Sequence, residues 1–277
     1  MQTFRSALLL SLVLVALAPS PVAAREFAPD RIAIAVGAII APDYEGSDDY
    51  SPALGAGALV RVQGRSITWK GNSLSVDVVP EYRDQTFKIV AGPIIALNPG
   101  HAIAFRDPVV APTRARKTAL EGGAFVGLAK TGVLTSSYDT LSVTLAAAHD
   151  LGNVHRSLIV TPSLDYTMPV SRAVMLDISL SADLVGGRYA RYYFGVDDSG
   201  SAQGGLPPYA PGGGVKSVSA GLGGVVALNG DLDGRGVLLG GVFNFERLLG
   251  AFAASPLVAQ RGNPNQASVA IGVGYRF

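Results

Sequence analysis

The chain has 277 residues, 16% of them charged and 48% hydrophobic, with a formal charge of +1 at pH 7, 34 glycines and no cysteine. The near-balanced charge excludes a nucleic-acid binder that works through a basic face, and the lack of cysteine excludes disulfides, thiolate chemistry and lipid attachment at a cleavage-site cysteine. A charged fraction below the roughly 25% usual for soluble domains argues against an ordinary soluble fold.

Residues 1–5 are short and basic, residues 7–18 are almost wholly apolar, and Val22-Ala23-Ala24 offers small side chains to a cleavage enzyme. This is the pattern of a secretory signal peptide, predicted over residues 1–24 with a mature chain from Arg25. The apolar run is too short to cross a hydrocarbon layer of roughly 30 Å, which needs a helix of about 20 residues.

From Arg31 onward, apolar side chains alternate with small or polar ones at a period of two, the signal of β-strands. Strands are predicted at residues 32–40, 52–62, 74–80, 87–97, 124–130, 141–145, 157–168, 173–184, 218–228, 237–245 and 268–277, with residues 66–70 a short strand of their own. The clearest is 173–184, where Val174, Leu176, Ile178, Leu180, Ala182 and Leu184 share one face and Met175, Asp177, Ser179, Ser181 and Asp183 the other. Turn residues at 63–65, 169–172 and 229–234 suit tight reversals. Other strands are separated by long stretches rich in Gly, Pro and charge, at 43–51, 98–118, 186–214 and 248–266.

Short turns on one side and long loops on the other are the plan of an outer-membrane β-barrel. A secreted chain with alternating strands and no apolar helix can cross a membrane only as a closed sheet, since lipid cannot satisfy free backbone groups. The fold predicted for residues 25–277 is therefore all-β, a transmembrane antiparallel barrel of about 12 strands, or about 10 if the segment at 66–70 merges with a neighbour and another run is not a strand. Its last strand would turn Val269, Ile271, Val273, Tyr275 and Phe277 to lipid, and a terminal Phe with an aromatic two residues before it is similar to the signal read by the barrel assembly machinery.

Four stretches together resemble the MipA/OmpV family of Gram-negative outer-membrane proteins: residues 41–50 (APDYEGSDDY); Tyr193-Phe194-Gly195-Val196 with Gly205-Leu206-Pro207; Glu246-Arg247-Leu248-Leu249-Gly250 with Ser255-Pro256-Leu257-Val258; and Arg261-Gly262 with the closing Tyr275-Arg276-Phe277. The resemblance implies a non-enzymatic outer-membrane barrel. It further implies a scaffold that joins an MltA-type lytic transglycosylase and a bifunctional penicillin-binding protein to the outer membrane; a small channel or a surface adhesin is the alternative. The sequence departs from the family after Leu-Leu-Gly, where an acidic residue is common and Ala251 stands instead.

The residues give little chemistry beside that. Asp43, Glu45, Asp48 and Asp49 are oxygen donors of the type that hold calcium on a flexible loop, and also the type that keeps a loop tip solvated, which is the reading preferred here. Asp231-Leu232-Asp233-Gly234 opens like a calcium loop but lacks the acid that would close it, so a hairpin turn is expected. His101, His149 and His155 are too scattered for a zinc site. Asp165, Asp177 and Asp183 are expected to face the lumen, where polar residues wet or plug the interior. No catalytic, cofactor-binding or metal-binding residue is assigned. Arg114, Arg116 and Lys117 form the densest basic cluster and could meet lipopolysaccharide phosphates, and Tyr189, Tyr192, Tyr193 and Phe194 are expected to anchor at the membrane interface.

Overall fold

The computed structural model describes residues 26–99 and 117–277, so the predicted signal peptide, His101, Arg114 and Arg116 lie outside the described residues. Twelve strands form a closed antiparallel barrel in which each pairs with its neighbours in sequence and the last closes on the first. They are β1 (Arg31–Pro42), β2 (Tyr50–Val62), β3 (Arg65–Lys70), β4 (Ser73–Asp77), β5 (Phe87–Asn98), β6 (Ala119–Thr131), β7 (Thr140–Asp150), β8 (Leu158–Pro169), β9 (Val174–Val185), β10 (Gly214–Ala227), β11 (Gly236–Leu248) and β12 (Asn265–Arg276). The segment at 66–70 is a strand of its own, paired with β4 from Ser66↔Asp77 to Lys70↔Ser73, and this decides for twelve strands over ten.

Both described ends of the chain lie at one rim, called here the lower rim, with the connections at 63–64, 78–86, 132–139, 170–173 and 228–235. The upper rim carries 43–49, 151–157, 186–213 and 249–264, together with the end of β5 and the start of β6. The wall is uneven. The β3–β4 hairpin turns early, where the Gly71 N–H donates to the Ala56 carbonyl (3.1 Å) and the Leu97 N–H to the Asn72 carbonyl (2.8 Å). Above that turn, residues 50–55 of β2 have no strand on that side among the described residues.

The registers place each predicted alternation. On β9, Asp177 is level with Gly223 of β10 and Thr167 of β8, while Ile178 is level with Leu222 and Tyr166. The first set faces the bore; the second lies on the outside. On β12, Val269, Ile271, Val273, Tyr275 and Phe277 are all exposed, although a soluble protein would bury such a row. No second layer covers the outer face, and no helix among the described residues is long and apolar enough to cross a membrane. Lipid is the surrounding that makes exposed apolar rows on a closed sheet stable.

Burial is concentrated instead at the upper rim, where the loops form short helices that the strand pattern gave no reason to expect: α1 (Gly187–Phe194), α2 (Asp198–Gly204), α3 (Gly250–Ala253) and α4 (Pro256–Ala259). In α1, Tyr189, Ala190, Tyr193 and Phe194 are spaced to fall on one face, and that face is buried. In α2 the Asp197 side chain accepts from the Gly200 N–H, and Gly205 ends the helix in the left-handed region at φ +69°.

Candidate functional site

The upper mouth is covered by a folded cap with its own apolar core. Tyr189, Ala190, Tyr193 and Phe194 of α1 pack with Val185, Leu248, Phe252 and Val258, and Tyr44, Val196, Leu206 and Leu257 form a second cluster beside them. The Phe194 and Phe252 rings meet edge to face at 5.1 Å, and the buried Ser255 hydroxyl donates to the Phe194 carbonyl at 2.6 Å. Loop 43–49 is stitched in by Gln266, whose side chain accepts from the Gly46 N–H (3.1 Å) and donates to the Ser47 carbonyl (2.9 Å). Gly46 has φ +96°, and a Cβ there would come within 2.4 Å of Val258, so no other residue fits. Three of the four stretches that resemble the MipA/OmpV family, with the Arg261-Gly262 part of the fourth, meet at this cap, while Tyr275-Arg276-Phe277 closes the last strand at the lower rim.

Beneath the apolar layer, Lys216 Nζ lies 2.6 Å from Glu45, 3.1 Å from Asp183 and 3.7 Å from Glu246. Lys216 is only 4% exposed. Strict alternation along β10 would place it outside with Val218; a register shift between Val215 and Ser217 turns it inward, which is what a β-bulge does. The Tyr189 hydroxyl donates to Glu45 at 3.0 Å; burial pushes that hydroxyl's pKa well up, so it stays protonated as a donor. A buried lysine surrounded by carboxylates thus ties three strands and two loops together. Sequence reasoning missed Lys216, although Lys216-Ser217 between Val215 and Val218 breaks the alternation and was the available signal.

A second polar cluster flanks it. His155 Nε2 is 3.3 Å from Glu121, which faces the bore from β6. The Asp150 carboxylate accepts from the N–H groups of Gly152, His155 and Arg156 at 2.9, 2.7 and 2.8 Å and so fixes loop 151–157. The His155 ring lies 5.1 Å from Tyr189.

Below the cap small side chains line much of the bore, with Leu59, Ile94 and Phe125 among the larger inward ones. Gly55, Gly37, Gly272 and Gly240 stand level on four successive strands, and a Cβ on Gly37 would lie 2.3 Å from the Ile271 carbonyl, so the strands are drawn too close there for any side chain. Ala33, Ala35, Thr144, Ala146, Ser163, Ser179 and Ser181 continue the lining. Val242 faces inward yet is 52% exposed, so solvent reaches the bore wall. Asp165, Asp177 and Asp183 face inward as expected, each beside a hydroxyl or cation: Ser163 and Thr167 donate to the first two at 3.5 and 2.9 Å, and Thr161 donates to Asp183 at 2.7 Å.

At the lower rim, Arg31 and Arg276 approach Asp233 at 2.7 and 3.4 Å, Arg61 approaches Glu81 at 3.3 Å, and Lys88 approaches Asp77 and Glu81 at 2.8 and 3.2 Å. Residues 26–30 run beneath this rim and pair with the 78–86 connection, with Phe27 stacked on Tyr82 at 5.3 Å. In the 132–139 turn, Asp139 accepts from the Tyr166 hydroxyl (2.6 Å) and from the N–H groups of Val133, Leu134 and Thr135 (2.7, 2.8 and 2.6 Å). These bonds, the Tyr166 hydroxyl first, hold its carboxyl well below the usual range.

The remaining candidates fall as follows. In the acidic loop, Asp43 accepts from Ser51 while Glu45 turns to Lys216, and no metal-holding group of His, Asp or Glu occurs among the described residues. Residues 231–234 form a turn in which Asp231 accepts from the Asp233 N–H at 3.0 Å. His149 lies on the outer face of β7, apart from His155. The aromatic group Tyr189, Tyr193 and Phe194 does not anchor at the membrane; it is the buried core of the cap. An interface anchor and an amphipathic helix share the same aromatic composition, and the helical spacing distinguishes them. Lys117 donates its backbone N–H to the Tyr192 hydroxyl at 3.0 Å, and Ala251 contributes only its carbonyl, which accepts from the Tyr209 hydroxyl at 2.7 Å.

Among solved structures the chain is similar to a Pseudomonas aeruginosa FadL homologue (11% identity, 90% of each chain covered, TM-score 0.35) and to OmpT of Vibrio cholerae (7% identity, 90% of this chain and 97% of that one, TM-score 0.37). It is also similar to a bacterial polysaccharide outer membrane secretin (10% identity, 89% and 98% covered, TM-score 0.37). Likeness at this level says nothing about activity. No curated protein matches. The family model described as MltA-interacting protein MipA matches residues 34–277, and with it the chain belongs to the MipA family, as a β-barrel of the outer membrane.

Proposed function

We propose that this barrel is a gated channel for small hydrophilic solutes, closed at its extracellular mouth by the folded cap. The observation that carries the reading is the width of the bore and the small side chains along much of its wall. Eight strands already give an interior just wide enough for side chains to fill; twelve strands, with Gly, Ala, Ser and Thr along much of the inner wall, enclose a wider one, and the inward Val242 is 52% exposed. Closure then depends on the cap, whose buried ion cluster is held by the single cation Lys216. Planar-bilayer recording tests this: the wild-type protein should be mostly closed, and Lys216→Met should give steady single-channel steps. If a variant with residues 187–212 replaced by a short Gly-Ser link folds and is still silent, the channel reading fails.

A second reading has its own support. The family description names an interaction with MltA, and the periplasmic rim exposes Phe27 (43%), Val78 (48%), Leu134 (71%) and Tyr138 (78%) outside the strands. Apolar groups presented together on a water-facing rim suit a protein partner, here a lytic transglycosylase and, through it, a bifunctional penicillin-binding protein. Capture of a purified MltA-type enzyme by the wild-type barrel, and its loss with Phe27→Ser and Leu134→Ser, would support a scaffold; no capture in mild detergent would remove it.

A further inference from the structure

Beside the cap, a cleft of about 500 Å³ is lined by Asn153, Val154, His155, Arg156, Arg188, Arg191 and Tyr192. Nothing in the channel or scaffold readings uses it. No carboxylate of the described residues lines it, and no ion pair or side-chain hydrogen bond ties Arg156, Arg188 or Arg191 to any described residue, although ion pairs are common elsewhere among the described residues. Arg188 and Arg191 project from the exposed side of α1, opposite its buried aromatic face. Arg156 comes from the facing loop, held there by Asp150 in the left-handed region at φ +50°. Converging guanidinium groups without counter-charges are a receptor for an anion, and their planar forks match phosphate oxygens in pairs.

An independent observation also points to a ligand. His155 is 3% exposed and lines the cleft; its Nε2 is engaged with Glu121, and its Nδ1 has no hydrogen-bond partner. With Nε2 engaged by the carboxylate, Nδ1 is left with one hydrogen bond to complete, and a ligand hydroxyl, donor and acceptor at once, is suited to it. Anion and hydroxyl together describe a phosphorylated sugar.

The height of the cleft identifies the source. Leu158, two residues after Arg156, and Leu184, four before Arg188, are on the lipid-facing side and exposed. Leu151 lies over Gly122 on the outside of β6, where a Cβ would come within 2.5 Å of it. The guanidinium groups therefore stand where acyl chains end and headgroups begin. We propose that this cleft binds the phosphorylated sugar headgroup of an outer-leaflet glycolipid of the lipid A type, through residues distinct from the Arg114–Lys117 cluster.

Native mass spectrometry of the full barrel, titrated with bis-phosphorylated lipid A in detergent, tests the proposal. The Arg156→Gln/Arg188→Gln/Arg191→Gln variant should bind about tenfold or more weakly, the scale of losing a charge-assisted contact. The matching Lys variant keeps the charge but loses the fork and should fall between, while Arg172→Gln/Arg235→Gln at the periplasmic rim should leave binding unchanged. Heat-shifted gel mobility reports folding, and should the triple variant fail it, the three single Gln variants give the same reading. Equal binding by wild type and Gln variants, or equal binding of lipid A stripped of its phosphates, overturns the proposal. Displacement of the lipid by millimolar inorganic phosphate alone overturns the lipid source and leaves a site for free anions.

Discussion

The two ends of the barrel are both rich in charge, and they use it in opposite ways. At the extracellular mouth Lys216 is 4% exposed, with apolar clusters packed above it. At the periplasmic rim Asp233, which receives Arg31 and Arg276, has a side chain that is 82% exposed. A buried ion that loses its partners leaves an uncompensated charge, whereas an exposed one is rehydrated and screened. The outer end therefore behaves as a specific, breakable closure and the inner end as a tolerant ring, although the contact distances are alike.

The largest effect expected from that contrast follows Lys216→Met. Glu45, Asp183 and Glu246, with side chains 32%, 30% and 23% exposed, would then face one another without a counter-charge, at a cost of about 3 kcal/mol or less to the cap. Limited proteolysis should cut within residues 186–213, and heat-shifted mobility should show the barrel itself intact. Adding Asp183→Asn and Glu246→Gln should restore protection in part; a cap that stays protected in Lys216→Met alone would mean that apolar packing closes the mouth unaided.

The packing contribution can be separated with Phe252→Ala. Its ring meets Phe194 and is 2% exposed, so truncation opens a cavity between α1 and α3 at a cost of about 3 kcal/mol. Hydrogen exchange should speed up at the Ala253 and Ala254 amides, which bond to Leu249 and Gly250, and remain slow in β10 and β11.

Much of the wall could be read from the sequence, because a barrel strand between lipid and lumen is a pure period-two problem and no tertiary partner perturbs it. The β9 faces and the whole β12 row stand where alternation put them. The cap could not be read that way. Its helices are four to eight residues long, shorter than a length that local propensity can stabilise alone, and they are held by side chains from elements far apart in sequence. Tyr189 and Phe194 had the right composition for a membrane girdle; what put them inside was the folding of loops 43–49 and 249–264 against them. Lys216 was hidden for a related reason, since a one-residue bulge reverses facing and leaves almost no trace in the sequence.

At the inner end, Asp139 gives a smaller and pH-dependent effect. Its carboxyl is held below the ordinary range by the Tyr166 hydroxyl and the backbone N–H groups of residues 133–135. A depressed folded-state value means that its contribution is present above the unfolded carboxylate range and lost as pH falls below about 4 toward the lower folded value. NMR of the Val133, Leu134 and Thr135 amides should show the 132–139 turn loosening on acidification, and Asp139→Asn should reproduce that spectrum at pH 7. Unchanged amides in Asp139→Asn would show that the turn is held by its backbone alone.

The smallest effect belongs to Asp233→Asn. Arg31 and Arg276 lose an acceptor there, but Asp233 stands in water, and exposed ion pairs contribute about 0–1 kcal/mol. Asparagine retains one oxygen acceptor, so the loss in urea unfolding should stay under about 1 kcal/mol and should shrink further in molar salt, where the screening length is about 3 Å. The same salt should change the Lys216→Met phenotype less, because the carboxylates around Lys216 are 23–32% exposed where Asp233 is 82% exposed. A salt-insensitive loss at Asp233 would mean that the arginine ring is as desolvated as the cap, and the contrast between the two ends would have to be abandoned.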